Sequence, residues 1–340
     1  MRNILLIDKP VGWTSFDVVA WVRSRLKTTD RGLRDGKLPK SEVRKPKTKV
    51  GHAGTLDPFA TGVLPLALNE GTKLVPFLKE EPKEYEATLK LGEETTTDDP
   101  EGAVVSEKDW GGVTPEQIDS AFQSFLGKIL QRPPMFSAKK VNGQPLYRMA
   151  RKGIEVEREE KEVEIFDLRV QTMHLPQVAF RVSCSKGTYV RALAKDIGRK
   201  IGCGAHLLQL KRVRSGSFSL SQTIPWTELK RASGTETLAP WLISLKGALS
   251  GWPEVVGDDR LVKKVRFGQE MLVRDFLSGD LLAIEKGQWL KMTSPEEELV
   301  AILRSEIKGS EVHQTDPGKV AFRAVRVFQP CPTEERSIHL

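Results

Sequence analysis

Residues 83–91, KEYEATLKL, put Tyr85, Ala87, Leu89 and Leu91 on one face and Glu84, Glu86, Thr88 and Lys90 on the other. A period of two sustained over this length predicts a half-buried strand and excludes a helix. The chain is thereby committed to a sheet with one covered face. Stretches 163–173 and 178–184 alternate in the same way. Residues 4–7 form a short apolar strand, and VLPLALN at 63–69 reads as a buried strand whose Pro65 suggests an edge or a bulge.

Helical signals stand between these strands. In TSFDVVAWVRSRL, Val18, Val19, Val22 and Leu26 share a face behind Ser15 as the expected N-cap. TKLVPFLK starts a short helix. TPEQIDSAFQSFLG carries a capping box at Thr114 and Gln117, Pro115 at the first helical position, and Gly127 as its stop. GTYVRALAKDIGRKIG predicts a helix from near Thr188, with Leu193, Ile197 and Ile201 on one face and Gly202 closing it. HLLQLKRVRSGSFSL returns to strand. From 230 to 255 the signal fades, with APWLISLKGAL a candidate short helix. The remaining stretch holds short strand candidates in KKVRFGQ, MLVRD, DLLAIEKGQWLKM, ELVAILRS and VAFRAVRVF, a spacing that suits a small β-barrel or sandwich.

A length of 340 residues suits one large domain and a smaller one, and 39% apolar with 29% charged residues suits a soluble protein with a real core. The net charge of +8 favours an anionic partner, nucleic acid first. The opening apolar run stops after four residues at Asp8, so no secretory signal is expected, and no window reads as a membrane span. Three cysteines, Cys184, Cys203 and Cys331, argue for a reducing compartment, hence a cytoplasmic protein. Cys203 and His206 have the spacing of half a metal site without a second half, so no metal is expected. Phosphate-loop, dinucleotide and nucleophile-elbow motifs are absent, which points to chemistry by side chains alone and to no cofactor.

GHAGTLDPFATG, residues 51–62, wraps one carboxylate, Asp57, in three glycines and a proline. Asp-Pro is a common turn signal, and the stretch can be no more than that. The alternative is a turn that presents the acid. A carboxylate with an ordinary pKa of about 3.9 is ionised at neutral pH and can attack an electrophilic carbon. In a pocket it needs a cationic partner. CSKGTYVRALAKDIG offers Arg191 as such a partner and Tyr189 for stacking or proton transfer. Residues 131–153 interleave Arg132, Lys139, Lys140, Arg148, Arg151 and Lys152 with two aromatics, which suits phosphates and unstacked bases. Residues 27–49 hold nine Lys or Arg against three acids and read as a basic loop.

GHAGTLDPFATGVLPLALNEGTKL and CSKGTYVRALAKDIGRKIGCGAHLLQLKR resemble the two signature segments of the TruB family of tRNA pseudouridine synthases. LLIDKPVGWTSFDVV, KEYEATLKLGEETTTDD and RPPMFSAKKVNGQPLY are similar to further family segments, in the same order, from residue 4 to about 225. The resemblance implies isomerisation of a uridine in the T-arm loop of tRNA, conventionally position 55, with no cofactor. The implied fold is α/β of the α+β kind. It has a mixed, largely antiparallel sheet with flanking helices over 1–230, a linker at 231–255 and a PUA-like RNA-binding β domain at 256–340. Asp57 becomes the catalytic aspartate, attacking C1′ or the uracil ring, or taking a sugar proton to form a glycal. Arg191 becomes its ion-pair partner. Tyr85 would stack on the flipped uracil and take the C5 proton late, with Tyr189 in the same pocket. Leu210 would pack on the base, His52 would enter the RNA loop, Asp99 would order the pocket, and Lys9 joins the substrate-binding set. The 131–153 segment would be a thumb closing on the T-arm, and the resemblance suggests a monomer. Family members typically have a much shorter link before VGHAG, so 27–49 is an insertion expected to add non-specific tRNA affinity. Two other readings are a guide-RNA-dependent relative like dyskerin, and an RNA-binding or RNA-folding protein with incidental catalysis.

Overall fold

The computed structural model describes residues 3–28, 48–78, 82–137, 139–141, 143–232, 236–276 and 284–330. Most of the basic insertion, residues 29–47, lies outside the described residues, as does Cys331. The main sheet runs, edge to edge, Leu242–Ser244, Asn3–Lys9, Thr61–Leu68, Ala205–Ser215, Lys83–Leu91, Gln177–Cys184, Lys161–His174 and Gly127–Gln131. All of these neighbours are antiparallel except Ala205–Ser215 against Thr61–Leu68, which meet in parallel at Lys211–Thr61 and Arg212–Gly62. The sheet is mixed and largely antiparallel, as expected.

The alternating face of Lys83–Leu91 packs Ala87, Leu89 and Leu91 into the principal core with Val178, Phe180 and Val182. Two helices cover that face. Pro115–Gln123 begins with the expected capping box and packs Phe122 edge-on against Phe180 at 5.4 Å. It ends at Ser124, earlier than expected, and Gly127 instead opens a strand at φ +83°. Val190–Ile201 buries Leu193 and Ile197 and stops at Gly202 in the left-handed conformation.

Pro65 does not mark an edge. Thr61–Leu68 has Asn3–Lys9 along one side, while its other side is shared by Lys211–Arg212 at one end and Val50–His52 at the other. Pro65, which has no ladder donor, falls between those two half-length neighbours. Residues 231–255 are more than a linker. Leu242–Ser244 pairs with Asn3–Leu5 as the edge strand, and Leu245, Ala248 and Leu249 are buried against Ile4 and Leu6. The short helix expected in this segment is only two 3-10 turns flanking that strand.

The C-terminal unit is a five-stranded sheet in the order Glu254–Val256, Trp289–Thr293, Leu299–Ser305, Val320–Val327, Met271–Leu272. KKVRFGQ, expected as a strand, instead supplies the last turn of the helix Asp259–Arg266 and the residues that follow it. Asp258 caps its start by accepting from the Leu261 N–H at 2.7 Å, and Leu261, Val262 and Val265 make its buried stripe. This unit docks through Leu299, Ile302 and Phe328 onto Ile4, Leu6, Val63 and Phe77. Strand Asn3–Lys9 is therefore covered on both faces, which explains its unbroken apolar run. Among the described residues no helix is long and apolar enough to cross a membrane.

Candidate active site

The loop through Asp57 is held by side chains that reach it from elsewhere. Ser15 Oγ accepts from the Leu56 N–H at 2.9 Å and donates to the Leu56 carbonyl at 3.1 Å. The expected N-cap role falls to Thr14, whose Oγ1 accepts from the Asp17 N–H at 3.1 Å. Lys9 Nζ donates to the carbonyls of Pro58 at 3.1 Å, Pro10 at 2.8 Å and Trp13 at 2.6 Å. The Gly12 N–H adds a second donor on the Pro58 carbonyl. Arg212 donates to the carbonyls of Gly54 at 3.2 Å, Thr55 at 3.5 Å and Val63 at 2.8 Å. These contacts fix the backbone on both sides of Asp57.

Arg191 Nε lies 2.9 Å from Asp57 Oδ2, with its N–H not aligned for a hydrogen bond, and Nη1 lies 3.2 Å from Asp99 Oδ2. The guanidinium also donates to the carbonyls of Thr97 and Phe136, both at 2.7 Å. Its side chain is 3% exposed while that of Asp57 is 33% exposed, so the cation is fixed from behind and the acid faces open space. Asp99 accepts from Thr97 Oγ1 and from the Glu101 N–H. Burial pushes its carboxyl up from the usual range, and Thr97 and Arg191 pull it back.

Asp57 opens into a cavity of about 590 Å³, within the usual range for ligand sites. Tyr85, Tyr189, Arg191, Leu210 and Arg212 line it. Burial pushes the Tyr85 phenol up, while the charge of Arg212, which opposes it across the strand pair, pulls it back. Tyr189 caps the helix carrying Arg191, and the Gln131 side chain clasps its backbone, accepting from its N–H at 2.7 Å and donating to its carbonyl at 3.1 Å. Burial raises the Tyr189 phenol as well. Lys83, Lys139, Lys161 and Lys186 complete a cationic lining against Asp57 and Glu162, suited to a polyanion.

The other expected residues sit at differing distances from this centre. Leu210 walls both this cavity and a second of about 570 Å³. His52 is half-buried at the end of Val50–His52 and does not line the cavity. Lys9 is fully buried and also off the lining, so it supports the loop instead of meeting a substrate. Its burial lowers the ammonium pKa to about 8, opposed by nearby Asp57. The 131–153 segment is structured beyond a loop, with a two-residue hairpin at Lys140–Val141 and Gln144–Pro145 and a short helix Leu146–Ala150. Arg132, Arg148, Arg151 and Lys152 are exposed on it, and Lys139 reaches the cavity. His206 Nδ1 pairs with the Glu93 carbonyl at 3.2 Å, and no group of three or more His, Cys, Asp or Glu that could hold a metal occurs among the described residues. Sequence reasoning missed Arg212, Gln131 and the loop contact of Ser15. Arg212 did leave a signal, as a charge two residues after Leu210 on the inward face of a strand.

The TruB family pseudouridylate synthase N-terminal domain matches residues 42–190, and the tRNA pseudouridylate synthase B C-terminal domain matches 191–249. The tRNA pseudouridine synthase B of Geobacter sulfurreducens is 44% identical over 292 residues, covering 86% of this chain and 90% of that protein. The tRNA pseudouridine synthase B of Geotalea uraniireducens is 43% identical over 310 residues, covering 85% and 94%. Among solved structures, a Cbf5-Nop10-Gar1 complex superposes with TM-score 0.71 at 27% identity, covering 97% of this chain and 85% of the matched one. An H/ACA RNP bound to a substrate RNA containing 2′-deoxyuridine gives 0.70 at 26%, covering 97% and 86%.

Proposed function

The chain belongs to the TruB family of pseudouridylate synthases, and from that premise we propose that it isomerises uridine to pseudouridine in the T-arm loop of tRNA, at position 55. The observation that carries the reading is Asp57, paired with the buried Arg191 and turned into a cationic cavity. The reaction breaks the N1–C1′ bond, turns the uracil and joins C5 to C1′. It transfers nothing to a second molecule, so no cofactor is required. The uridine must leave its stack to reach Asp57. Asp57 acts on the sugar or the ring, and all three routes, through C1′, through the base or through a glycal, begin from this carboxylate.

Tyr85 stacks on the uracil and receives the C5 proton as the C5–H electrons restore the ring double bond. Burial keeps its phenol protonated at rest, so as it accepts the C5 proton its own proton passes to solvent in the open cavity. Leu210 and Tyr189 bound the base, and the thumb closes over the T-arm. The likeness to Cbf5 complexes favours a second reading, guide-RNA dependence. The 44% and 43% identity to enzymes named for tRNA weighs for the standalone reading.

The test is tritium release from bare tRNA transcript labelled at uracil C5. We expect wild type to release up to one equivalent per tRNA and Asp57→Asn to release none above background. Tight binding without release by the wild type would favour the guide-dependent reading.

A further inference from the structure

We propose that Arg212 is a positioning residue for this reaction, one buried guanidinium that holds the Tyr85 phenol oxygen and the backbone leading to Asp57 in a single register. The inference rests on the isomerase reading above. Arg212 is the largest fully buried side chain of the described residues, at 1% exposure. At Arg212 its strand has a neighbour on each side, Tyr85 on one and Gly62 on the other. Its guanidinium meets three backbone carbonyls, two of which, Gly54 and Thr55, lie in the loop just before Asp57. An Arg presents a planar fork that fixes several acceptors at once, which a Lys cannot reproduce.

The fit on the loop side is close. A Cβ on Gly54 would stand 3.3 Å from Arg212 Nη1, and a Cβ on Gly62 would stand 2.2 Å from the Arg212 carbonyl oxygen. The loop and the strand are thus in direct backbone contact where the two catalytic groups face one cavity. Lys9, Asp57 and Cys184 act electrostatically on one or other member of this pair, and Lys83, Lys139, Lys161, Lys186, Glu162, Tyr189 and Arg191 line the cavity with it. Tyr85 stands between Val182 on one neighbouring strand and Arg212 on the other, so Arg212 is the group placed to hold the phenol.

The experiment compares wild type, Arg212→Lys, Tyr85→Phe and the double variant in single-turnover tritium release at saturating enzyme, with tRNA Kd and thermal unfolding measured alongside. We expect Arg212→Lys to slow release on the order of 10²-fold, as for loss of one oriented donor in an active site. Its tRNA Kd should stay within about threefold of wild type, because Arg212 meets protein groups and leaves phosphate contacts to the lysines. In the Tyr85→Phe background the Arg212→Lys penalty should shrink at least about fivefold, because half of its action is gone. An equal penalty in both backgrounds, or a loss confined to Kd, overturns the proposal. Should Arg212→Lys fail to fold, Tyr85→Phe still decides: a folded variant with unchanged release overturns the coupling. Absence of release from the wild type itself overturns the isomerase reading and this inference together, whereas wild-type release with an indifferent Arg212→Lys overturns this inference alone.

Discussion

The loop that carries Asp57 and the arm at 131–153 reach the same cavity and are built in opposite ways. The loop is gripped from behind by Ser15, Lys9 and Arg212, all buried, acting on its backbone. The arm is tethered at its base, where Arg191 holds the Phe136 carbonyl and Arg158 holds that of Pro133. Beyond that it presents exposed cations, with Arg148 and Arg151 sharing the Tyr147 ring and hydroxyl. Catalytic placement needs accuracy of a fraction of an ångström, while capture of a charged backbone needs reach and many weak contacts. On the function proposed above, the chain assigns these demands to different segments.

The sharpest way to break this contrast is to add one methyl group to each. Gly62 and Gly143 both have positive φ, +102° and +80°. A Cβ at 62 would collide with the Arg212 backbone, while one at 143 meets nothing within 4 Å. Gly62→Ala should cost about 3 kcal/mol or more and abolish turnover. Gly143→Ala should cost only its backbone strain, about 1 kcal/mol, and leave turnover nearly intact. Urea unfolding with parallel tritium release tests the pair, and equal effects would erase the distinction.

Lys9 gives a smaller, pH-dependent effect. In the folded chain it gives up its proton near pH 8, and in the unfolded chain at about 10.4. Between those values the unfolded chain binds more protons, so rising pH favours the folded state. Wild type should therefore gain stability relative to Lys9→Met from pH 8 to about 10.4, read from urea midpoints. The reverse trend would mean that the carbonyl acceptors outweigh burial. The smallest effect is expected on the arm. Arg148→Ala with Arg151→Ala should weaken tRNA binding and flatten its log–log salt slope by up to about 2, leaving the saturated rate nearly unchanged. An unaltered slope would remove those two residues from the RNA contact.

Elements whose causes are local were legible in the sequence. The Lys83–Leu91 strand and the capping box at Thr114 and Gln117 each arise from residues a few positions apart, and both formed as read. The pairing of Asp57 with Arg191 came through family resemblance and not through spacing. What stayed hidden depends on distant backbone. The carbonyls that Lys9 and Arg212 hold lie as far as 49 and 158 residues along the chain. No pattern around either residue encodes those acceptors. Ser15 was misread for a related reason: Thr14 and Ser15 are both competent caps, and only the arrival of Leu56 decides between them. KKVRFGQ misled because its strand-like residues were taken without the Asp258 cap that precedes them.

Strand Asn3–Lys9 has a consequence for how the molecule comes into being. It is synthesised well before its edge neighbour Leu242–Ser244 and its outer cover at Leu299 to Phe328. Ile224 also closes onto it, exchanging backbone hydrogen bonds with Leu6 and Asp8. Lys9, at the end of that strand, is sealed against the Pro58 carbonyl in a finished frame only once Leu242–Ser244 and the Leu299 to Phe328 cover are present. Such high contact order makes assembly slow, and it delays the finished frame around this strand until those later segments have been made.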